Sequence, residues 1–155
     1  MIHNLNMKVL VIVCLLIAYT QATSEPISIR DRILQAMNQC IQENAWDENE
    51  LKYIFKNNFL LPTDNEKVND FLLCYWKKLN MIDQHGEINL SQVKVLIPNL
   101  IRELFHNISE NESVILAEQA VNECNKRGVA TGKSMGQNCV LLRNCVAQYV
   151  KDKQD

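Results

Sequence analysis

The sequence is poor in the residues that break helices and in the patterns that make sheets. Four glycines and three prolines punctuate 155 residues. No Asn-Gly or Asp-Gly turn joins two apolar runs and no stretch alternates polar with apolar, so strands are not expected. Basic residues never run longer than two, and the net charge is −2. That excludes the electrostatic footprint of a nucleic-acid or anionic-membrane binder. Catalytic signatures are missing as well. There is no G-x-S-x-G, no H-E-x-x-H and no Cys-Cys-x-x-His run of a secreted phospholipase. Neither C-x-x-C nor H-x-x-x-H occurs, so a zinc site is not expected either. Carboxylates such as Glu43, Asp47 and Glu48 fall on polar faces and read as solvated charge. The expectation is a protein that is not an enzyme, with no cofactor and no metal.

One long apolar run is present, and its position gives it meaning. Lys8 precedes Val9 to Tyr19, and Thr20-Gln21-Ala22 follows. A basic start, an eleven-residue apolar centre and small residues before a cut describe a signal peptide, residues 1–22. The run is too short for the roughly 20 apolar residues of a membrane span. Cleavage after Ala22 would leave a single domain, 23–155, secreted to the extracellular space and without a membrane span. Cys14 leaves with the signal. Cys40, Cys74, Cys124, Cys139 and Cys145 remain, in a compartment where disulfides form. Three connectivities for each choice of odd residue make fifteen ways of forming two bonds and one thiol. Spacing alone leaves that choice open.

The rest of the chain reads as helices. Pro26 and Ser28 introduce a first, about 29–42, with Ile33, Met37, Cys40 and Ile41 on one stripe. Asp47 can cap a second, 48–56. Thr63 or Asp64 can cap a third running to about Leu79, with Val68, Leu72 and Tyr75 inward. Asp83-Gln84-His85-Gly86 reads as a turn. A fourth helix, about 90–105, contains Pro98, which should kink it or start a new turn. A fifth covers about 113–126 and a sixth about 134–150. No heptad persists, so a compact all-α bundle of about six short helices is favoured over a coiled coil.

Three sequons accompany these helices: Asn89-Leu90-Ser91, Asn107-Ile108-Ser109 and Asn111-Glu112-Ser113. Asn107 and Asn111 lie in the most polar connection and are the better glycosylation candidates. Asn89 reads more simply as a helix cap. His85 and His106 fall at helix–loop boundaries. Surface histidine is a simpler reading of them than a pH switch, because nothing places a charge partner beside either.

Cysteines on the first, third, fifth and sixth helices of a chain this size resemble the insect odorant-binding proteins. The segment Phe71-Leu72-Leu73-Cys74-Tyr75, followed by Ile82-Asp83-Gln84-His85-Gly86-Glu87-Ile88-Asn89, is similar to that family's third helix and turn. The resemblance covers the whole of 23–155 and implies a disulfide-stapled bundle around an apolar cavity. It implies bonds Cys40–Cys74 and Cys124–Cys145, with Cys139 a free thiol or an intermolecular bridge. An internal alternative pairing of Cys139 with Cys74 or Cys124 stays open. The family's second and fifth cysteines fall on Asp70 and Gly136, so this chain is similar to the reduced-cysteine, minus-C branch. A looser wall between the third and sixth helices is then expected. The implied function is a carrier of small hydrophobic ligands, odorant-, pheromone- or lipid-like. Met37, Phe71, Tyr75, Leu96, Leu100, Leu116, Leu142 and Tyr149 are its candidate ligand contacts. An olfactory receptor or a second copy of the chain are further candidate partners. Two alternatives accompany this reading. One is a scavenger of amines or lipid mediators using Glu118 and Glu123; the other is a helical interaction protein with a solid core.

Overall fold

In the computed structural model, which describes residues 27–154, six helices follow one another. They are α1 (Ile29–Glu43), α2 (Glu48–Asn57), α3 (Glu66–Lys78), α4 (Leu90–Leu104), α5 (Glu110–Lys126) and α6 (Met135–Gln154). The signal-peptide segment, 1–22, lies outside the described residues. The sole extended pairing among those described is a bridge between Ile82 and Ile88. It closes the turn in which Asp83 Oδ1 accepts from the amides of His85 and Glu87 at 2.8 and 2.9 Å.

Local chemistry sets the helix ends. Ser28, Asp47, Asn89 and Ser109 each accept a first-turn amide with the side-chain oxygen, satisfying donors that have no partner inside the helix. At the other ends, α1, α3 and α5 close alike. Trp46 N bonds Ile41 O, Met81 N bonds Trp76 O and Val129 N bonds Cys124 O. The residue between is left-handed in each case: Ala45, Asn80 and Gly128 at φ 50°, 58° and 64°. This is the Schellman closure.

Three boundaries differ from the sequence reading. The cap of α3 is Asn65, not Thr63 or Asp64, and its Oδ1 accepts from Val68 N at 3.1 Å. Helix α5 starts at Glu110 rather than Ser113, because Ser109 caps it and Glu110 and Glu112 favour its positive end. Pro98 does not divide α4, which continues through it with the ring buried.

Helix α6 is the centre of the packing, meeting α3, α4 and α5, while α1 packs on α3 and α4 on α5. Val140, Val146 and Val150 are fully buried along it. Disulfides join Cys40 to Cys74 and Cys124 to Cys145, tying α1 to α3 and α5 to α6. The wall expected to be loose is close-packed. At Gly136 an added Cβ would stand 2.4 Å from the carbonyl oxygen of Asn69, so α3 and α6 approach to a distance that only glycine allows. Side chains reinforce that seam. Asn144 clasps Leu61, accepting from its amide at 2.9 Å and donating to its carbonyl at 2.7 Å. Gln137 and Asn69 both donate to the carbonyl of Thr63, at 3.0 and 3.2 Å. Arg143 donates to the carbonyl of Phe59.

Candidate ligand cavity

Between α1, α2, α3 and α4 the bundle encloses a cavity of about 280 Å³. Each helix contributes along an apolar stripe at helical spacing, so the space is built from residues one or two turns apart. Ile33, Met37 and Ile41 come from α1, Leu51 and Phe55 from α2. Phe71, Leu72, Tyr75 and Trp76 come from α3, Leu96, Ile97 and Leu100 from α4. Phe71 organises one wall. Its ring meets Phe55 edge-on at 5.3 Å and lies parallel to Tyr75 at 6.0 Å, geometries favoured by the aromatic quadrupole. Exposed Leu34, Glu48 and Lys52 also line the space and mark its opening. There Lys52 pairs with Glu48 at 2.5 Å across one turn.

Polar groups are few. Burial, and secondarily the charge of Glu103, push the Tyr75 phenol above its ordinary range. Partial burial also raises the Glu103 carboxyl, with Arg30 working against it. Arg143, from α6, is 4% exposed and lines the cavity. Desolvation pulls it down to about 10, still cationic at neutral pH.

A model of the PBP/GOBP family matches residues 23–149. The chain belongs to this family, the insect odorant-binding proteins. Its members are carriers of small hydrophobic ligands rather than enzymes, and they are typically secreted. No curated protein and no solved structure matches the chain. No helix among the described residues is long and apolar enough to cross a membrane.

Placed on this odorant-binding fold, the candidate ligand contacts divide. Met37, Phe71, Tyr75, Leu96 and Leu100 share the cavity. Leu116, Leu142 and Tyr149 do not line it. Leu116 is packed into the core from α5. Leu142 borders a separate groove beside Cys124 and Val129. Tyr149 is half-buried with Lys153 Nζ 5.7 Å from its ring centre. Their stripes face inward, but toward the α5–α6 side of the bundle. Glu118 is exposed and Glu123 pairs with Arg127 at 3.0 Å; neither lines the cavity, whose carboxylates are Glu48 and Glu103. Sequence reasoning missed Leu51 and Phe55, although they form an i, i+4 apolar pair on α2. It also missed Arg143, four residues after Cys139 and three before Val146 on an otherwise apolar face.

The remaining candidates fall outside the cavity. Cys139 is a free thiol with no exposure, which leaves its sulfur no route to a second chain. His85 and His106 are exposed. Asn107 and Asn111 are exposed at the start of α5, whereas Asn89 is half-buried with its Oδ1 accepting from Gln92 N at 3.2 Å.

Proposed function

We propose that the chain is a secreted carrier that holds one small apolar ligand in the cavity between α1, α2, α3 and α4. The observation that carries this reading is the cavity itself, about 280 Å³ walled by aliphatic and aromatic side chains with a few placed polar groups. That is the composition of a ligand site, with a volume just below the usual range of roughly 300–1,000 Å³. A solid-core interaction protein has no use for such a space. The apolar run Val9 to Tyr19 supports delivery to extracellular fluid, and Asn107 and Asn111 are available there for glycosylation. Gly136 and Asp70 at the positions of two family cysteines support placement in the minus-C branch.

Affinity would come from transfer of ligand surface out of water, about 0.8 kcal/mol per methylene, less the cost of association. The test is binding of an environment-sensitive apolar fluorophore to the chain 23–155. Saturable, displaceable binding on the order of micromolar is expected. Leu100→Ala, in the cavity wall, should weaken it, while Leu142→Ala should lower stability by about 2–5 kcal/mol and leave affinity intact. Absence of saturable binding, or equal loss in both variants, defeats the reading.

A further inference from the structure

Arg143 is the one buried charged side chain among the described residues. A guanidinium carries five N–H donors. Nη1 uses its two on the Phe59 carbonyl and on Asn144 Oδ1, the latter at 3.1 Å. Nε–H and both N–H groups of Nη2 have no partner among the described residues, and no carboxylate pairs with Arg143. Of the two carboxylates of the cavity, Glu48 pairs with Lys52, and Glu103 feels the charge of Arg30 without forming an ion pair among the described residues. The free donors are not sealed in. The sole fully enclosed side-chain polar atom without a partner among the described residues is Asn69 Oδ1, so the free donors keep some accessible surface, and Arg143 lines the cavity.

A buried cation without a counter-charge is costly, and folded proteins offset that cost with an anion or several hydrogen bonds. Nε–H and the neighbouring Nη2–H point in parallel, at the spacing of the two oxygens of a carboxylate. Aldehydes, alcohols and hydrocarbons would leave this edge partly or wholly unused, and an amine would be repelled by it. We propose that the ligand of this cavity is an apolar monocarboxylate, its head seated on the Nε/Nη2 edge of Arg143 and its tail along Phe71, Leu96 and Leu100. The inference rests on the carrier reading above and narrows its ligand class. At about 280 Å³ the cavity is small for a ligand site, so a medium-chain acid is the size to test.

The experiment displaces an apolar fluorophore from the chain 23–155 at neutral pH with decanoate, decanol and decane, three molecules of matched length. Decanoate is expected to bind about tenfold or more tighter than decanol, the scale of a charge-assisted hydrogen bond. Arg143→Met should abolish that preference, so that the variant binds decanoate no more tightly than decanol. Arg143→Lys, which keeps the charge and loses the fork, should retain part of it. Equal binding of decanoate and decanol by the unsubstituted chain overturns the proposal whatever the variants do, as does a preference that survives Arg143→Met. If neither the fluorophore nor any of the three molecules binds, the carrier reading falls with it. If the fluorophore binds without acid preference, only the ligand class falls.

Discussion

Replacing Gly136 by alanine sets a local and a tertiary argument against each other. In a helix alanine is favoured over glycine by about 1 kcal/mol at most, so local propensity alone makes Gly136→Ala stabilising. The neighbouring helix opposes this. The added Cβ would stand 2.4 Å from Asn69 O and 2.7 Å from its carbonyl carbon, against about 3.5–4.0 Å for an ordinary contact. Relief needs α3 and α6 to separate by roughly 1 Å, because the obstacle is backbone and has no rotamer to change. Overpacking of this kind costs about 1–3 kcal/mol, and a backbone clash belongs at the upper end. Subtracting the propensity gain leaves a net loss of about 1–2 kcal/mol. Guanidinium unfolding should show a lower midpoint with an unchanged slope. Thermal unfolding should fall by about 3–6 °C for each kcal/mol. A variant as stable as its parent, or more so, would refute the claim that these helices touch at Gly136.

Two further expectations concern buried groups. Cys139 is unexposed, and burial pushes its thiol up to about 12. A thiol reagent at pH 8 should therefore leave native chain 23–155 unlabelled and label one cysteine once the chain is unfolded; rapid native labelling, or a disulfide-linked dimer on a non-reducing gel, would contradict the structure. The Tyr75 phenol holds its proton beyond the usual range, chiefly through burial. Above pH 10 the unfolded chain releases that proton and the native one keeps it, so stability should fall as pH rises, by up to about 1.4 kcal/mol per pH unit for this group. Cys139 adds a slope of the same sign, so the measurement is the difference between parent and Tyr75→Phe in denaturant midpoint from pH 9 to 11. Identical slopes would remove Tyr75 from the account.

Helix placement was legible because apolar spacing and capping residues agree over most of the chain. Asp47 and Asn89 cap the helices their positions suggest. The choice between Thr63 and Asp64 missed Asn65, the next residue, which caps equally well by type. Tertiary contacts choose, with Gln137 and Asn69 taking the Thr63 carbonyl. The site was half legible for a similar reason. Periodicity separates inward from outward, but it does not separate a cavity wall from solid core. Met37 and Phe71 were therefore indistinguishable in kind from Leu116 and Leu142. Disulfide pairing came from the family resemblance rather than from spacing, and the bonds observed are those it implied. The loose wall inferred from the missing cysteines failed because a single glycine admits a closeness that a disulfide would have held apart. Arg143 was open to view as a charge on an apolar face, and sequence reading passed over it.

Residues 59–63 are held to α3 and α6 by bonds that end on backbone. Asn144 reads Leu61 through its amide and carbonyl, Arg143 reads the carbonyl of Phe59, and Gln137 and Asn69 read that of Thr63. Such a grip is blind to the identity of the side chains it holds. At exposed Leu60, mutational drift can then change shape, polarity or charge without unfastening the segment, whereas Leu61 is buried in the core and proline there would also delete a donor. The exposed part of this connection is thereby freed for evolutionary trial while its anchor stays constant.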